Sequence, residues 1–150
     1  MKNIAILILA LSAAAMALPA AAQFAKPEDA IQYRRSSMTV LQTHFFRLGN
    51  MVNGRTPYDA KAAADNAAIV LAMSKLPWPA FGAGTGEGDT RAKPGIWTQQ
   101  AKFNESAQKM MAQAGALDAA ARTGNLDALK VAFRASAGNC QSCHDAFRAR

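Results

Sequence analysis

The sequence predicts an all-α protein: an antiparallel up-down-up-down four-helix bundle with a long crossover loop between helices 2 and 3. Three observations carry that reading. Four segments repeat apolar residues at the three-then-four spacing of a packed helix, none alternates as a strand would, and one stretch rich in proline and glycine divides them into two pairs.

The first segment is predicted to start at Pro27, where a missing amide proton costs nothing, with Glu28 and Asp29 well placed against the helix dipole. Its inward stripe runs Ile31, Arg34, Met38, Leu41, Phe45, Leu48 and Val52, and Asn53-Gly54 ends it. The second is predicted to open with Thr56 as cap and Pro57 behind it, continuing through Tyr58, Ala62, Ile69, Ala72 and Leu76. Its many alanines allow close approach by other helices.

The third is predicted from near Pro94, with a stripe of Ile96, Gln100, Phe103, Ala107, Met110, Ala114, Leu117 and Ala121 that stops at Thr123-Gly124. The fourth starts around Asn125 and places Leu126, Leu129, Phe133, Ser136, Cys140, Cys143 and Phe147 on one side. Short connections make the first and second, and the third and fourth, antiparallel neighbours. From Leu76 to Gly95, however, Pro77, Pro79, Pro94 and glycines 82, 84, 86, 88 and 95 forbid a continuous helix. Trp78 and Phe81 mark this stretch as a loop that packs on something.

Residues 1–22 read differently from the rest. Lys2 gives a positive start, Ile4 to Leu11 form a short apolar run, and Ala20-Ala21-Ala22 offers a cleavage site, so these residues are expected to be a signal peptide. The run is too short for a comfortable membrane span, and the mature chain is expected to begin at Gln23 as a single soluble domain without membrane insertion. Without Lys2, 16 Lys plus Arg face 10 Asp plus Glu, a net charge of about +6. Those cations are scattered, with no basic run and no interleaved aromatics, which argues against nucleic acid as partner and for solubility, with weak steering of acidic partners.

An exported protein with two cysteines would ordinarily pair them in a disulfide. Here they stand in Cys140-Gln141-Ser142-Cys143-His144, the attachment signature of c-type haem. On a helix, positions 140, 143 and 144 share a face, so two thiols can reach the two vinyl groups while the imidazole meets the iron. A thiol–disulfide exchange motif would instead open a helix, where the dipole acidifies a thiol. Zinc held by both thiolates, His144 and His44 would strain a tetrahedral site at the adjacent Cys143 and His144. One covalently attached haem c is therefore the expected cofactor.

Two stripe residues bear on the iron's other side. Arg34, a cation on an inward position, needs either an anion such as a haem propionate or a route for its head group to water. Met38 either bonds the iron, giving a six-coordinate electron carrier, or shields an open one as an apolar neighbour. An open apolar pocket would favour NO and CO over dioxygen, whose bound form asks for a hydrogen-bond donor. His44 falls off the stripe and is expected at the bundle edge. Arg148 follows His144 by one turn, which either brings charge to the proximal face or satisfies helix-end carbonyls. Met110 and Met111 read as packing. With no carboxylate pair, no nucleophile beside a base and no phosphate-cradling loop, hydrolytic catalysis has no support, and a binding or electron-transfer protein is expected rather than an enzyme.

Beyond these readings, residues 23 to 150 closely resemble the bacterial cytochromes c′, the class II c-type cytochromes. The resemblance is carried by Gln23-Phe24-Ala25-Lys26-Pro27, Tyr33-Arg34, Pro57-Tyr58-Asp59, Leu76-Pro77-Trp78 with Phe81-Gly82, and Cys140 to Arg148. It implies a periplasmic homodimer built through the first two helices, with a five-coordinate high-spin haem that binds NO and CO and discriminates against dioxygen. By it, Cys140 and Cys143 are the thioether sites and His144 is the proximal ligand. Arg148 becomes a proximal pocket residue, Arg34 the arginine near the propionates and Met38 the distal residue, while Trp78 and Phe81 join the residues expected around the haem. Low-spin relatives of this class place a ligating methionine where Met38 stands, so both readings of that residue stay open.

Overall fold

A computed structural model describes residues 23–150; the expected signal peptide lies outside the described residues. Helix α1 spans Pro27–Val52 as its sequence predicts, with Pro27 in the first turn and Asn53 at its C-terminus. Helix α2 spans Ala60–Met73, a later start than Thr56-Pro57 suggested. The reason is the cap: Asp59 accepts a hydrogen bond from the Ala62 amide at 2.9 Å, leaving residues 56–58 in the connection. The α2 stripe is also shifted, since Ala63, Ala67 and Val70 are buried while Ala72 is exposed. In a helix so rich in alanine, the apolar residues alone cannot fix the buried face.

The predicted third helix is two helices. A short α3, Gly95–Thr98, is followed after Gln99 by α4, Gln100–Arg122. Gln99 leaves helical geometry at φ −127° and ψ 44°, so the two meet at a bend, and Gln100, expected inside, is exposed. Helix α5 spans Leu126–Phe147, capped as expected by Asn125, whose side-chain oxygen accepts from the amides of Asp127 and Ala128 at 2.9 and 3.1 Å. Between α4 and α5, Gly124 takes a φ of +68°, which suits a residue without a side chain.

These four long helices form the antiparallel bundle, with α1 against α2, α2 against α4, α4 against α5 and α5 closing on α1. Their shared core is built from Leu41, Leu48, Val52, Ala63, Ala67, Val70, Ala114, Leu117, Ala121 and Leu129. Phe45 and Phe133 stack across the α1–α5 seam with ring centroids 4.4 Å apart. Gly49 makes that seam possible, because a Cβ there would lie 2.9 Å from the Phe133 ring. Among the described residues, no helix is long and apolar enough to cross a membrane.

The crossover loop between α2 and α3 has little regular structure, a 3₁₀ turn at Trp78–Ala80 and a bridge at Ala92, yet it is firmly held. Arg34 is 3% exposed, which rules out the second of its two sequence readings, a head group running out to water. Its Nη1 donates to the Ala80 carbonyl and Thr85 Oγ1, both at 2.8 Å, and its Nη2 donates to the Thr85 carbonyl at 2.7 Å and Thr90 Oγ1 at 2.8 Å. The guanidinium also lies 4.4 Å from the Phe81 ring centroid. Burial lowers its pKa, yet a guanidinium remains charged, so those acceptors and that ring face stand in for lost water. The neighbouring Arg35 holds the same loop from outside through Asp89.

Two outcomes follow. Leu117→Ala, at a fully buried position, should destabilise the bundle by about 2–5 kcal/mol in denaturant titration. Arg34→Met should speed amide exchange across residues 80–92 well before the helices loosen, because it removes the four bonds above.

Candidate functional site

The last turns of α5 carry the motif. Its inward positions Leu129, Phe133 and Ser136 face the core, and continuing that face brings Cys140 and Cys143 inward, both half-buried. The two are free thiols and not a disulfide, so the simplest expectation for an exported pair is not met here. His144 is more exposed and lies one residue further around the helix.

Each cysteine has its own surroundings. Cys143 packs on a second cluster formed by Ile96, Phe103 and Phe147, joined by Trp78, Phe81, Ala92 and Trp97. Within it, Phe103 meets Phe81, Phe147 and Trp78 edge-on at centroid distances of 4.9, 5.4 and 5.8 Å. Trp78 donates its indole N–H to the Ser74 carbonyl at 2.7 Å, and Trp97 donates to the carbonyls of Phe81 and Gly82 at 3.0 and 2.9 Å. The expectation that Trp78 and Phe81 pack on something is thus met: they pack on the wall beside Cys143. Cys140 lines a narrow cleft with residues from all four long helices, among them Leu41, Val70, Met110 and Asn139.

Electrostatics separate the candidate chemistries. Burial pushes both thiols above their ordinary pKa, and Cys140 raises Cys143 further. Protonated thiols near the C-terminal end of a helix are poor nucleophiles for disulfide exchange. The His144 imidazole is held below its usual value by burial first and then by Arg148, with Asp145 pulling the other way and Arg91 adding a smaller downward push. That shift favours the neutral ring, the form able to donate a lone pair to a metal. His44 is elsewhere occupied: its Nδ1 meets Asn66 Oδ1 at 2.8 Å between α1 and α2, the bundle-edge role expected of it.

A large planar group attached at the two thiols suits this arrangement in two respects. The thiols are unpaired, on one face and next to an aromatic wall. The Asn139 Nδ2 is buried without a partner in the cleft that Cys140 lines, so this part of the core is not closed by the chain alone. Met38 is half-buried on α1 and belongs to neither the cleft nor the aromatic cluster. Arg148, exposed, closes α5 with its amide donating to the His144 carbonyl at 3.0 Å.

Several residues around this site escaped sequence reasoning. Thr85 and Thr90 supply hydroxyls to Arg34, and Trp97 anchors Phe81. Arg91 adds charge near His144, and the segment Arg91–Lys93 pairs in antiparallel fashion with Phe147–Ala149. Their only sequence signal is the gathering of threonine, arginine and lysine in an otherwise glycine-rich loop.

The comparisons with known proteins agree with this geometry. The family model described as Cytochrome C′ matches residues 29–148. The cytochrome c′ of Rubrivivax gelatinosus is 46% identical over 127 residues, covering 84% of this chain and 98% of that one. Its crystal structure superposes with a TM-score of 0.82 at 46% identity, covering 85% of this chain and all of the other. A nitric oxide complex of a cytochrome c′ variant from Alcaligenes xylosoxidans has a TM-score of 0.80 at 42% identity, covering 85% of this chain and 99% of its own. A carbon monoxide-bound variant of the same protein gives a TM-score of 0.80 at 42% identity, with coverage of 85% and 100%. Cytochromes c′ are standard examples of the four-helix bundle, and with the family model spanning almost every described residue, this chain belongs to the cytochrome c′ family.

Proposed function

We propose that the mature chain is a periplasmic haem protein that binds NO and CO at a five-coordinate iron, sequestering or carrying NO with some capacity for electron transfer. The observation that carries this reading is the pair of unbridged thiols with His144 directly after them on one stretch of α5, set against an aromatic wall. The nitric oxide and carbon monoxide complexes of similar cytochromes c′ support the same choice of ligands.

Cys140 and Cys143 would hold one haem c through thioether bonds, and His144 would be the proximal ligand. The group supplies a redox-active iron able to take a small diatomic molecule. Everything else comes from the chain. Burial first, and then Arg148, shift His144 toward its unprotonated form, the form whose nitrogen lone pair can bind a metal. Trp78, Phe81 and Phe103 exclude water on the side where Cys143 sits. Met38, carrying a thioether and no N–H or O–H donor, would act as an apolar distal neighbour, a setting that favours NO and CO over dioxygen. Arg34 would help to place the group mainly by fixing the loop that bears Phe81. Dimerisation through α1 and α2, as the resemblance implies, would leave the motif on α5 outside the contact.

Correctly exported protein should have the mass of residues 23–150 plus one haem. Its ferric spectrum should be high-spin, and its ferrous form should bind both CO and NO. A low-spin ferric spectrum that becomes high-spin in Met38→Ala would replace the open iron with a methionine-ligated electron carrier. The double variant Cys140→Ala, Cys143→Ala should carry no covalent haem, and finding the bare polypeptide mass in the unaltered protein would end the proposal.

A further inference from the structure

The residues just after His144 are held by a segment far away in sequence. Lys93 and Phe147 share a backbone hydrogen bond, with the Lys93 amide donating to the Phe147 carbonyl at 2.9 Å. The Ala149 amide donates to the Arg91 carbonyl at 2.8 Å, which completes a short antiparallel bridge between Ala92 and Arg148. The Lys93 side chain then crosses to α5, its Nζ donating to the Asp145 carbonyl at 2.8 Å across 52 residues of chain. Asp145 directly follows His144, and its carbonyl is one of the helix-end groups left without an amide further along α5. A lysine there meets both the free carbonyl and the negative end of the helix dipole.

A single hydrogen bond of this kind would be minor on a long helix in mid-course. At the final turn it acts where helices fray, and here the turn carries the one imidazole of the motif. We propose that Lys93 is a positioning residue for His144: by capping the carbonyl beside it and pairing with Phe147, it fixes the last turn of α5 and with it the direction from which the imidazole meets the iron. The proposal rests on the reading of His144 as the proximal ligand. It assigns part of the proximal geometry to the crossover loop, a part of the chain that carries none of the motif.

The test compares the haem-loaded full protein with Lys93→Met and Lys93→Arg. Two measurements are needed: amide exchange at Arg148 and Ala149, and the hyperfine-shifted ring-proton resonances of His144 in the ferric protein. Lys93→Met should keep its haem, exchange those amides roughly tenfold faster and move the His144 resonances. Lys93→Arg, which retains a cationic donor, should restore both. If Lys93→Met lowers the melting temperature while the His144 resonances stay put, Lys93 is only a structural cap and the proposal is overturned. Should Lys93→Met fail to accumulate, Lys93→Gln, whose shorter side chain withdraws the donor from the Asp145 carbonyl, must move the same resonances or the proposal fails. If the unaltered protein carries haem but shows no haem-ligated His144, the functional reading itself falls, an outcome distinct from unmoved resonances in the variant.

Discussion

A guanidinium buried inside a helical bundle must find oxygen for its protons, and Arg34 finds it in the crossover loop. No carboxylate sits among its partners; two carbonyls and two hydroxyls take its N–H groups, with the face of Phe81 alongside. Removing those acceptors would strand a charge in the core, which is why the loop and α1 must keep a fixed relation. From that relation the rest of the site follows. Phe81 is set by Arg34 and by Trp97, Trp78 is set by Ser74, and both lie against Phe103, which packs with Cys143.

The molecule accordingly has two apolar regions that serve different ends. The larger one, around Leu48, Leu117 and Leu129, is an ordinary bundle core in which small alanines on α2 share the interior with leucines of the other long helices. The smaller aromatic one joins the loop, the α3–α4 bend and the end of α5 around the motif. The bend at Gln99 serves this smaller region, because it allows Ile96 and Trp97 to face the aromatic cluster while Phe103 enters it from α4.

Much of this was legible from residues alone. The ends of α1, the Asn125 cap, the stripe of α5 and the motif it carries all follow from local chemistry, because caps and helical spacing act over a few residues. The face of α2 did not, since Ala62 and Ala63 are equally suited to burial and only the neighbouring helices decide between them. Arg34 was recognisable as a buried cation in need of partners, but its partners Thr85 and Thr90 lie 51 and 56 residues away and leave no local trace. The same holds for Lys93 and Asp145. Long-range polar contacts of this kind are invisible to periodicity, and the loop that makes them looked irregular for that reason.

The same loop is held by two adjacent arginines that differ in their exposure to solvent. Arg35 and Asp89 form their ion pair at the surface, with side chains 53% and 86% exposed, where dissolved ions weaken attraction. Arg34 makes its bonds out of reach of those ions, and to neutral acceptors. Raising the ionic strength therefore loosens the outer attachment and leaves the inner one in place, so the aromatic wall keeps its position in dilute and in concentrated salt alike.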